Sequence, residues 1–94
     1  ALAALPDVVE RCAAAFGVDP GEVYGGSRRR ATVCARTAVS YLTVSHLGLS
    51  AAAVAGALGV TPAVVLRGVR RGLGTLAARQ VAPTDLLPHP GRRV

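Results

Sequence analysis

The sequence predicts an all-α fold, a compact bundle of about five helices containing a helix-turn-helix, and three observations lead there. Apolar residues make up 51% of the chain but aromatics only 3%, so the core must be alanine, valine and leucine, which favours closely packed helices over a sheet sandwich. Apolar positions recur at the i, i+3, i+4, i+7 spacing of a helical face. Capping residues, prolines and glycines fall where those helices should start and stop. The 94 residues are enough for one small domain. We read 1–76 as that domain and 77–94 as an extended or disordered tail.

Taken in order, Leu5, Val8, Val9, Cys12, Ala13 and Phe16 share one face of a first helix, with Pro6 and Asp7 at its start and Gly17 at its stop. Asp19, Pro20 and Glu22 form a capping-box pattern, so Pro20 to Tyr24 reads as one short helical turn anchored by Val23 and Tyr24. Gly25 and Gly26 break the chain, and Ser27 is expected to cap a long third helix running to about His46. On it Ala31, Cys34, Ala35, Ala38, Tyr41, Leu42 and Ser45 line one side. Arg29, Thr32, Arg36, Ser40 and Thr43 line the other.

The stretch Leu49 to Leu73 reads as two helices joined by a tight turn. Ser50 is the N-cap of the first, whose buried face carries Ala51, Val54, Ala55 and Leu58. Gly59 suits a left-handed stop, Val60 plugs the corner, and Thr61 and Pro62 restart the chain as N-cap and first helical residue. The second helix is expected to bury Val65, Leu66, Val69 and Leu73 and to turn Ala63, Val64, Arg67, Arg70 and Arg71 outward. Val54, Ala55, Leu58, Gly59, Val60 and Val65 match the residue types of a helix-turn-helix; Gly68 stands where a branched apolar residue is usual. Gly68 and Gly72 either let this helix pack closely or fray its end. An ordinary helical hairpin with solvated arginines is the competing reading. After Leu73 the pattern fades into a segment containing Pro83, Pro88, Pro90 and Gly91.

Charge adds a functional hint. All 11 cations are arginine, and the net charge is +6. Between Glu22 and Asp85 there are eight arginines and no carboxylate, a segment that attracts polyanions. Arg28, Arg29 and Arg30 fall in the expected first turn of the third helix, where the helix dipole disfavours a cation by about 0.3–1 kcal/mol. Something should compensate: either the three converge on a phosphate at the free N–H groups of that turn, or they form a mobile, solvated basic loop.

Other chemistries find little support. Cys12 and Cys34 lie on apolar faces without a CxxC partner and read as core thiols, with a disulfide left open. His46 and His89 lack ligand spacing, Tyr41 falls among core positions, and no Ser, His and Asp arrangement can be argued. No enzyme, metal, cofactor or small-molecule substrate is expected. With no apolar run of eighteen residues and no signal-peptide pattern, neither a membrane span nor export is indicated, and the expected location is cytoplasmic, at the nucleoid. The chain opens on alanine and reads as an excerpt of a longer polypeptide, so an upstream domain is an expected neighbour.

The run Ser27-Arg28-Arg29-Arg30, followed by Ala35-Arg36-Thr37-Ala38-Val39-Ser40-Tyr41-Leu42 and then by the helix-turn-helix, resembles the C-terminal DNA-binding domain of the bacterial replication initiator DnaA. The resemblance covers about Pro6 to Leu73. It implies contacts to double-stranded DNA from the basic loop at Arg28, Arg29 and Arg30, from Thr61 to Arg71 on the second helix of the motif, and from Arg36. The initiator's Gly-Gly-Arg-Asp-His signature at the turn is replaced here by Gly59-Val60-Thr61-Pro62-Ala63. This also brings the chain near the initiator-like domain appended to transposase-like proteins of repetitive palindromic elements. The expectation is therefore a module that reads duplex DNA with Thr61, Ala63, Val64, Arg67, Arg70 and Arg71; a protein-interaction or RNA-binding helical domain is the alternative.

Overall fold

A computed structural model describes residues 2–88, and within them the chain is an all-α bundle. A 3-10 turn (Leu2–Ala4) leads into α1 (Leu5–Phe16), whose buried face is the expected Leu5, Val8, Val9, Cys12, Ala13 and Phe16. It stops at Gly17, where φ is 70° and glycine avoids the Cβ clash that left-handed backbone imposes. Helix α2 (Pro20–Val23) is capped by Asp19, whose carboxylate accepts from the Gly21 N–H. The helix-turn-helix segment follows its caps closely. Ser50 Oγ accepts from Ala53 N–H at the start of α4 (Ala51–Leu58), Gly59 takes φ 74°, and Thr61 caps α5 (Pro62–Ala78). The axes of α4 and α5 turn by 108° across that glycine, within the range of DNA-binding helix pairs.

The third helix ends at His46 as expected but differs in its start and burial. Helix α3 (Arg30–Tyr41) begins at Arg30 instead of after Ser27, and continues into one π turn (Leu42–His46), with Leu47 N–H donating to Leu42 O. The side carrying Arg29, Thr32, Arg36, Ser40 and Thr43 is buried except at Arg29. The cause is position in the bundle. Helix α3 runs through the middle, packed on α1 along one side and on α5 along the other, so a polar side chain on it has only internal partners to find, and Ser40 Oγ has none among the described residues. Thr43 Oγ1 finds one by donating to the Val39 carbonyl at 2.7 Å. Tyr41, expected to be buried, is only partly so; its hydroxyl meets His46 Nε2 at 3.2 Å.

The inward face of α5 is Val65, Gly68, Gly72 and Leu76, so of the expected Val65, Leu66, Val69 and Leu73 only Val65 is fully buried. Leu66 is 46% exposed and Leu73 57% exposed; Val69 is half-buried beside them. The glycines are the contact. A Cβ on Gly68 would stand 2.9 Å from the Ser40 Cβ, and one on Gly72 would overlap the Tyr41 side chain. Hydropathy alone ranks leucine above glycine as a core residue, but the close approach of α3 admits only the glycine side.

The expected tail is also corrected through residue 88. Helix α5 runs on to Ala78, and α6 (Pro83–Leu86) folds back to bury Leu86, with Val81 and Leu87 packed on the core as well. These side chains supply enough apolar contact to hold a segment that its prolines alone suggested would be extended. The rest of the expected tail, including His89, lies outside the described residues. Among those that are described, no single helix is long and apolar enough to cross a membrane.

The glycine contact gives a signed test. Gly72→Ala should destabilise the domain by about 1–3 kcal/mol, the usual range for overpacking, although alanine is the better helix former. Gly74→Ala, on the same helix with nothing within 4 Å of its Cβ, should instead stabilise it by up to ~1 kcal/mol. Urea unfolding of both variants checks this; equal shifts would show that α3 and α5 do not meet there.

Candidate nucleic-acid interface

The interface begins with the loop between α2 and α3, which is fixed to the start of the helix-turn-helix. Gly25, at φ 90°, donates its N–H to the Leu58 carbonyl at 2.6 Å. That carbonyl is among the last in α4 and has no further turn to accept from. The bond docks the glycine pair against Gly59, whose absent Cβ would lie 3.6 Å from Gly25 N. As a result the basic loop stands beside the N-terminus of α5.

Arg36 holds the same loop from below. It is 6% exposed, donating from Nε to the Val23 carbonyl at 3.0 Å and from Nη1 to the Ser27 carbonyl at 3.1 Å. Its Nη2 is buried without a partner among the described residues. Burial pushes the guanidinium pKa down from its ordinary value, yet that value lies so far above neutrality that the group stays charged. The resemblance implied a DNA contact for Arg36, whereas its guanidinium is engaged inside the fold. Its role here is to position the loop that carries Arg28.

The three consecutive arginines do not converge. Arg29 is drawn back to Glu22, with Nη1 at 2.7 and 2.8 Å from the two carboxylate oxygens. Glu22 also accepts from Thr32 Oγ1 at 3.0 Å. The anion that a cationic helix start requires is thus supplied by the chain itself, at the first turn of α3. Glu22 therefore does not reach back to close the expected capping box. Arg28 and Arg30, on either side, turn into different hollows.

Arg28 lines a cleft of about 470 Å³ with Arg67, Thr61 and Val64 from the first turns of α5, and Arg36 forms part of its wall. Ala63 is exposed near the start of the same helix. Arg30 instead lines a neighbouring groove of about 760 Å³ with Arg70, Arg71 and Arg79. Of the ten residues expected to touch DNA, the cleft brings together Arg28, Thr61, Val64 and Arg67, with Arg36 behind them; Arg29, Arg30, Arg70 and Arg71 lie elsewhere. The sequence reading missed two participants. Glu22, the last carboxylate before eight arginines, was the available signal for an internal pair. Arg79 lay beyond the expected helix end; it donates from Nε to the Ala15 carbonyl at 3.0 Å, its guanidinium 5.3 Å from the Phe16 ring centroid.

Both cysteines are free thiols. Cys12 is fully enclosed, and burial pushes its thiol up to about 12, so it stays protonated and inert. Cys34 is half-buried on the wall of the groove.

If Arg36 tethers the loop, Arg36→Met should destabilise the domain by roughly 1.5–3 kcal/mol, the scale of hydrogen bonds to a charged group. Arg36→Lys should recover only part of this, because one ammonium cannot copy the planar fork that spans both carbonyls. Denaturant melts of the two variants decide it; an unchanged midpoint for Arg36→Met would place the guanidinium in solvent.

Compared with family models, with curated proteins and with solved structures, the chain matches none.

Proposed function

We propose that this domain binds double-stranded DNA sequence-specifically through its helix-turn-helix and basic loop. It would act as a module of a replication-initiator-like or transposase-associated protein at the nucleoid, and not as a catalyst. In this reading the first turns of α5 enter a major groove, with Ala63 and Val64 offering methyl contacts to thymine and Arg67 offering a bidentate pair to guanine. Thr61 and Arg28 meet the adjacent backbone phosphates, and the positive end of the α5 dipole adds to their attraction. The likeness of Ser27 to Leu42 to the DnaA C-terminal domain enters as support for the class alone.

One observation carries the proposal: the cleft that gathers Arg28 and Arg67 at the N-terminus of α5, beside a loop tied to the end of α4. A solvated basic face would need no such tether. A groove-reading helix does, because the phosphate contact must stand at a fixed offset from the base contact to set register.

Selection from random duplexes should enrich a short motif. On that site Arg67→Ala should lose ~1–3 kcal/mol and blur the preference at one base pair. Arg28→Ala should weaken the selected and random duplexes by a similar factor and lower the slope of log affinity against log salt by about 0.9. Arg29→Ala, whose guanidinium is held by Glu22, should leave that slope unchanged. Failure to enrich any duplex, or affinity independent of salt, would overturn the proposal.

A further inference from the structure

The groove beside Arg30 has a more apolar lining than the cleft. Phe16 of α1 and Ala31 and Cys34 of α3 are its more buried lining, and Ala78 of α5 with Arg30, Arg70, Arg71 and Arg79 are its exposed lining. Among the described residues none of these four arginines has an ion pair, and no carboxylate lines the groove. Arg79 is fixed by the Ala15 carbonyl and Phe16, so part of the rim is set before anything binds.

We propose that this groove docks an acidic amphipathic helix of a partner protein, its apolar stripe on the more buried lining and its carboxylates on the arginine rim. Charge complementarity demands an anion, and the apolar lining demands that the anion carry apolar side chains. Duplex DNA meets only the first demand, since its phosphate backbone has nothing to cover the half-exposed Ala31 and Cys34. An inorganic anion likewise leaves a space of about 760 Å³ unfilled. A helix presenting leucines at i, i+3 and i+4 between glutamates meets both. The proposal does not depend on the DNA reading, because it uses neither Arg28, Arg67 nor the turn.

The test uses a fluorescent helical peptide of about sixteen residues, since shorter isolated helices are marginal. Its leucines form one stripe and its glutamates flank it; a control of the same composition has the stripe scrambled. The striped peptide should bind and slow alkylation of Cys34, the scrambled one should do neither, and Cys12 should stay unreactive. Ala78→Glu, which adds a carboxylate at an exposed position on the groove wall, should weaken binding about tenfold or more, equivalent to ~1.4 kcal/mol, with an unchanged melt. Equal binding of both peptides, or an Ala78→Glu variant that binds as well as the parent, would overturn the proposal. Protection of Cys34 by duplex DNA but not by the striped peptide would also do so, assigning the groove to nucleic acid.

Discussion

Two helices meet in this domain with almost no side chain between them, Gly68 and Gly72 of α5 lying directly on Thr37, Ser40 and Tyr41 of α3. Much else depends on that contact. It fixes the rotation of α5 about its own axis, because any other face would drive a side chain into α3. With that rotation set, Arg67 faces the cleft at the start of the helix, and Arg70 and Arg71 face the groove along its second half. Leu66 and Leu73 are left at the surface as a consequence of packing geometry, against their hydropathy. The same contact carries α5 far enough for Leu76 to be buried and for Arg79 to reach the end of α1.

A second constraint is electrostatic. Five carboxylates face 11 arginines in this chain, so most guanidinium groups cannot be neutralised internally. Those that are held have structural work: Arg29 with Glu22, Arg11 with Asp7, Arg36 on two backbone carbonyls, Arg79 on the Ala15 carbonyl. The internal pair at Glu22 matters for the surface, because it removes the middle arginine of a run of three and lets its neighbours serve two separate hollows. One consecutive triplet thereby contributes to a cleft at the turn, to the stability of the α3 start, and to a more apolar groove. The two hollows differ in what surrounds the charge, and so in what each is suited to bind.

Local rules made the capped elements legible from the sequence. The buried face of α1, the Asp19, Ser50 and Thr61 caps and the left-handed glycines at 17 and 59 involve residues a few positions apart, whose preferences are set by backbone sterics and neighbouring N–H groups. The basic segment was legible too, since net charge does not depend on folding. What tertiary structure alone decided is which side of a helix counts as inside. Helix α3 is covered on two sides, so its polar stripe of Thr32, Arg36 and Ser40 became core, and Arg36 became a tether instead of a DNA contact. Helix α5 buries glycines because a neighbour comes close, and a glycine's readiness for close approach is invisible until that neighbour is known. Arg28, Arg29 and Arg30 are adjacent in sequence, yet Arg29 is held by Glu22 while the fold sets Arg28 beside Arg67 in one hollow and Arg30 beside Arg79 in another.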